Sequence, residues 1–95
     1  MALLKKFKRK PKMTDSDRRI ALRSAGRITE GVIIDTEPAA DGSEVVFYSY
    51  TLSGVDFVSS ELLTAEQLSD PLKYAPGAKI SVRYDPKNHG NSMLI

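Results

Sequence analysis

Apolar and polar positions change their period at Gly26. Before it, Thr14 to Ala25 carries helix punctuation at both ends. A side-chain oxygen of Thr14, Asp15 or Ser16 can accept from the first free backbone N–H groups. Asp15 and Asp17 stand at the positive end of the helix dipole and Arg23 near its negative end. Gly26 is expected to close this helix in the left-handed conformation. A helix of about ten residues is marginal alone, so it must pack; Ile20, Ala21, Leu22 and Ala25 are its expected contact, with the arginines facing water. Beyond Gly26 the alternation has a period of two, the mark of strands. Ile28 to Glu37 centres on Val32, Ile33 and Ile34, and Gly31 within it predicts a bulge or a close backbone approach. Pro38 and Asp41-Gly42 end the strand and turn the chain.

The clearest local signal is Ser53-Gly54, a two-residue loop of the kind that needs positive φ. That loop sets Leu52 opposite Val55, Tyr50 opposite Phe57 and Tyr48 opposite Ser59. Val46, Tyr48, Tyr50, Leu52, Val55 and Phe57 then share an inward face. Val45, Phe47, Ser49, Thr51, Asp56, Val58 and Ser60 share the reverse face, which is mixed and not purely polar. Either the first helix covers it, or Phe47 and Val58 form an exposed patch.

From Leu62 to Gly77 the strand pattern lapses. Thr64-Ala65-Glu66-Gln67 fits a capping box and predicts a short helix or 3₁₀ turn at 65–69, with Leu68, Leu72 and Tyr74 pinning the connection to the core. Pro76-Gly77 introduces a strand in which Ala78, Ile80, Val82 and Tyr84 alternate with Lys79, Ser81 and Arg83. Residues 85–91 read as turn and 92–95 as a short last strand. The pattern predicts an α+β, mainly β, single domain over residues 14–95. Its expected form is a small antiparallel barrel or sandwich of about five strands, with a short N-terminal helix and a short helical connection before the fourth strand. At 95 residues the chain can bury only about 60–65% of its unfolded surface, enough for one small core.

Charge changes this picture at the N-terminus. Lys5, Lys6, Lys8, Arg9, Lys10 and Lys12 lie within residues 1–12 with no acid among them, although the whole chain carries a net charge of only +2. A dense like-charge run with little apolar area favours disorder, so residues 1–13 are expected to be a disordered basic tail. Leu3, Leu4 and Phe7 sit among the cations at helical spacing, which suits weak contact with anionic lipid; the cations alone suit nucleic-acid phosphates.

Candidate chemistry is sparse. The chain has no cysteine, which removes disulfides and thiolate sites. His89, the one histidine, lacks the companions a metal site requires and reads as a solvated turn residue. Asp85 before Pro86 reads as turn chemistry, its carboxylate accepting from the backbone two residues on. Asp35 and Glu37 share a strand face without an acid–base partner. Thr29, Ser49, Ser59 and Ser60 have no base at a recognisable spacing. No glycine-rich phosphate loop is present. The expected protein is therefore not an enzyme and uses no cofactor, metal or small-molecule substrate.

Gly31-Val32, the run Phe47 to Phe57, Pro76-Gly77 and Val82-Arg83-Tyr84-Asp85-Pro86-Lys87-Asn88 occur in an order that resembles the domain of unknown function 3592 family of small bacterial domains. The similarity covers roughly residues 26–95, and its most specific part is the Tyr84-to-Asn88 end with the upstream Pro-Gly. The family often has proline where this chain has His89. Many relatives carry flanking apolar helices, which these residues lack. The resemblance implies a compact β-rich domain and no established activity.

The function expected from these features is non-catalytic interaction with a protein partner, or self-association, through a sheet edge or the face bearing Phe47, Val58 and Val45. The alternative is peripheral binding of an anionic membrane, or of nucleic acid, through Leu3, Leu4, Lys5, Lys6, Phe7, Lys8, Arg9, Lys10 and Lys12. The expected location is the cytoplasm, free or peripheral at the inner face of the membrane.

Overall fold

The computed structural model describes residues 14–95; the expectations of a disordered tail at 1–13 and of lipid or phosphate contacts at Leu3 to Lys12 lie outside the described residues. Helix α1 (Asp15–Ala25) leads into strands β1 (Arg27–Pro38), β2 (Glu44–Leu52) and β3 (Val55–Leu62). Helix α2 (Ala65–Leu68) then precedes β4 (Lys79–Asp85) and β5 (Asn88–Leu94). Every pairing is antiparallel, in the order β3-β2-β1-β4-β5. The two outer strands therefore run in the same direction. They approach each other, and the five strands curl into a nearly closed, barrel-like sheet.

Local signals place most of these elements. Thr14 and Asp17 form a reciprocal capping box at the start of α1, and Thr64 and Gln67 form another at α2, which satisfies donors that a helix start leaves free. Ser53 and Gly54 take φ values of 50° and 78°, and the hairpin they close has the expected register, with Leu52 opposite Val55 and Tyr50 opposite Phe57. Gly26 departs from expectation: it is extended, at φ −73° and ψ 155°. A Cβ on Gly26 would lie 2.3 Å from the Leu22 carbonyl oxygen, so the residue is suited to a close turn from helix into strand rather than to a left-handed cap.

Gly31 proves to be a close approach and not a bulge. A Cβ there would sit 2.7 Å from the Ser49 carbonyl oxygen and 2.8 Å from a Val82 methyl. Its lack of a side chain lets β1 pass between Tyr50 on β2 and Ile80 on β4. The bulge comes later: Ile33 pairs with Tyr48 and Asp35 with Phe47, leaving Ile34 as the extra residue. That insertion keeps Ile33 inside and sets Asp35 and Glu37 opposite Phe47 and Val45.

The core collects Ile33, Val46, Tyr48, Tyr50, Ile80, Val82 and Leu94 from the strands, with Leu63 and Tyr74 from the connection. Tyr48 is fully buried, and its hydroxyl lies 2.7 Å from Ser92 Oγ. The Tyr50 ring stacks on Tyr48 and on Phe57 at centroid separations of 6.0 and 5.4 Å. Three expectations are corrected. Val55 is exposed because the hairpin mouth extends past the core, and Leu72 is exposed because Leu68 and Tyr74 already pin the connection. The last strand begins at Asn88 and not at Ser92, so the turn shrinks to Pro86-Lys87, with Asp85 Oδ1 accepting from Lys87 N at 2.8 Å as expected. His89 is thus a half-buried strand residue, its ring edge-on to Phe57 and Tyr84, and its carbonyl accepts from the Tyr50 hydroxyl.

Candidate functional site

The position of α1 decides which wall of the sheet is open. Near the start of the helix, Arg18 donates to the Ser92 carbonyl at 2.7 Å and to Asn91 Oδ1 at 3.1 Å. Arg19 Nη2 lies 3.4 Å from Glu61 Oε1. Leu22 is buried, whereas Ile20 is 60% exposed. The helix therefore rests on β4 and β5 through one leucine and two arginine stems, correcting for Arg18 and Arg19 the expectation that the arginines face water, whereas Arg23 is exposed as expected. Long basic side chains cover apolar surface while their heads find acceptors.

Asp15 holds both arginines in place, at 2.9 Å from each. The Arg19 bond, and then the Arg18 bond, keep its carboxyl below the ordinary value of 3.8. A folded pKa lowered in this way means that the contribution is present above the unfolded value and is lost as pH falls through the lower folded value. Asp15→Asn is expected to flatten the acid limb of stability, read in thermal melts between about pH 5 and pH 2. An acid profile identical to that of the parent chain would show that the cluster does not anchor α1.

With α1 on β4 and β5, the outer wall of β1–β2–β3 is left bare among the described residues. Val58 is 65%, Leu62 50% and Ile34 46% exposed, and Val32, Val45 and Phe47 beside them are half-buried. The register brings the expected residues together: Val45 lies opposite Leu62, Phe47 opposite Ser60 and Ser49 opposite Val58, so Phe47 and Val58 are diagonal neighbours on one face. Leu62 and Ile34 were not anticipated there. The Val58-Ser60-Leu62 alternation carried the signal for Leu62, whereas nothing local announces a bulge at Ile34.

Charge is segregated across the same fold. Between residues 28 and 72 lie nine of the 12 acids and no lysine, arginine or histidine. Asp35 and Glu37 border the bare wall on β1, Asp56 does so on β3, and all three are exposed. The basic residues of the described chain belong to α1, its junction with β1, and the segment from Lys73 to Lys87. A cavity of about 620 Å³ on that other side is lined by Arg19, Arg23, Lys73 and Arg83, together with Glu66 and Asp70. Among the described residues, no group of three or more histidine, aspartate or glutamate side chains could hold a metal ion, and no helix is long and apolar enough to cross a membrane.

These observations define a small barrel-like β domain with one wall covered by a helix and the opposite wall apolar, acid-bordered and bare. The chain belongs to the family described as Domain of unknown function (DUF3592), which it matches over residues 25–95. That match takes in all five strands and starts at the last residue of α1. No curated protein and no solved structure matches the chain.

Proposed function

We propose that this domain is a non-catalytic interaction module whose β1–β2–β3 wall receives a basic protein segment carrying aliphatic anchors. The observation that carries the reading is the contiguity of Ile34, Phe47, Val58 and Leu62 on a wall with an acidic border, whose strands carry no base from Ile28 to Leu62. Exposed apolar clusters rimmed by polar residues mark interaction surfaces, and the sign of the rim selects the partner. The strand order, with a helix between β3 and β4, is also the connectivity of five-stranded Greek-key barrels that take ligands on their strand 2–3 face. Several such barrels bind oligonucleotides there, but an acidic wall repels phosphates. A cationic peptide is the ligand class that suits both the apolar centre and the rim.

A synthetic dodecapeptide of alternating lysine and leucine, compared with its glutamate-for-lysine counterpart, tests this by amide chemical-shift titration. The lysine peptide is expected to shift Phe47, Val58 and Leu62, and the neutral variant Val58→Gln to weaken its binding about tenfold, equivalent to about 1.4 kcal/mol. Val58 is 65% exposed, so the variant leaves the core intact. Equal binding of the glutamate peptide, or unchanged affinity in Val58→Gln, would overturn the reading.

A further inference from the structure

We propose that residues 1–12 of this same chain occupy the β1–β2–β3 wall in cis and compete there with a partner; the inference rests on that wall being the binding face. Three observations lead to it.

The first is where the chain enters the fold. Arg19 of α1 reaches Glu61 on β3, and Arg18 reaches Ser92 on β5. The start of the helix, where the described chain begins, therefore lies by the junction of β3 and β5. The second is reach. Thirteen residues precede Thr14, and at up to about 3.3 Å each they can extend roughly 40 Å. A wall of three strands spaced about 4.8 Å apart is only roughly 10–15 Å across, so the leader can traverse it.

The third is complementarity. The leader holds six cations, no acid, and the apolar anchors Leu3, Leu4 and Phe7. The wall presents aliphatic side chains with Asp35, Glu37 and Asp56 at its border. The opposite side of the domain carries the arginines of α1 with Lys73, Arg83 and Lys87, and like charge disfavours the leader there, whereas Lys79 stands opposite Val32 at the β1 margin of the wall. A tethered segment also acts at an effective concentration of about millimolar, so weak docking is enough to populate the wall.

The test compares the full chain with the chain lacking residues 1–12. Deletion is expected to move the amide shifts of Ile34, Phe47, Val58 and Leu62, independently of protein concentration. The lysine–leucine dodecapeptide is expected to bind the shortened chain about two- to tenfold more tightly, because a cis competitor has been removed. Unchanged wall shifts and equal peptide affinity for both chains, with the peptide still bound, would overturn the leader's role while leaving the wall as a binding face. Failure of the peptide to bind either chain would remove the reading of the wall itself. Wall shifts that appear only as concentration rises would assign the contact to a second copy and overturn the cis arrangement. Binding of phosphatidylglycerol vesicles that Val58→Gln leaves unaltered, with no wall shift on deletion, would assign the leader to lipid instead.

Discussion

Glu61→Ala is expected to lower the unfolding free energy by about 2 kcal/mol, the scale for leaving a buried backbone donor without its acceptor. The Glu61 side chain is 3% exposed and lies at the junction where the sheet nearly closes. One carboxylate oxygen accepts the Leu94 backbone N–H at 3.1 Å and faces the Arg19 guanidinium at 3.4 Å. Alanine leaves that buried N–H without its acceptor and takes from Arg19 one of its two carboxylates, Asp15 being the other, and the cost of a desolvated, unpaired donor exceeds the net worth of the contact it made. The loss should appear in chemical denaturation, with faster hydrogen exchange at Leu94. Glu61→Gln is expected to recover most of the stability, since its amide oxygen can still accept from the Leu94 N–H. A loss below about 1 kcal/mol for Glu61→Ala would mean that the carboxylate does not hold the junction. The result bears on function because β3 contributes Val58 and Leu62 to the bare wall, and an opened junction would also free its edge for adventitious pairing.

Tyr48→Ala is expected to cost about 3–5 kcal/mol, the range for emptying a packed aromatic site. The side chain is fully buried, stacked on Tyr50 and hydrogen-bonded to Ser92. Tyr48→Phe separates these contributions: it keeps the ring and leaves the Ser92 hydroxyl short of a partner, for about 1 kcal/mol. Burial pushes the Tyr48 phenol above its ordinary value of 10.0, while the Ser92 bond pulls the other way. The stability from the neutral phenol is therefore complete below the unfolded value and is lost as pH rises through the higher folded value. Ultraviolet titration of the phenols should show one group that lags the others, and its loss from the titration of Tyr48→Phe identifies it. A Tyr48→Ala variant that melts like the parent would place the core elsewhere.

The two expected results concern parts of the fold that differ in how they are written into the chain. Tyr48 was legible as a core residue because Ser53-Gly54 closes a tight hairpin, and a two-residue loop sets the facing register along both strands. The same register placed Val45, Phe47 and Val58 on the outer face. Glu61 was not legible: a carboxylate at an inward position becomes intelligible only when Leu94 and Arg19, 33 and 42 positions away in sequence, are seen to meet it.

Capping at Thr14 and Thr64, the hairpin at Ser53-Gly54, the bond from Lys87 to Asp85 and the inward alternation of Ile80 and Val82 were determined by the sequence alone. Each depends on groups within a few residues of one another, where backbone geometry leaves few choices. Tertiary structure decided the rest: the bulge at Ile34, the docking of α1 on β4 and β5, the burial of Glu61, and hence which wall stays bare. Those outcomes depend on distant strands competing for the same apolar surface and the same hydrogen-bond acceptors, and no window along the chain contains both competitors.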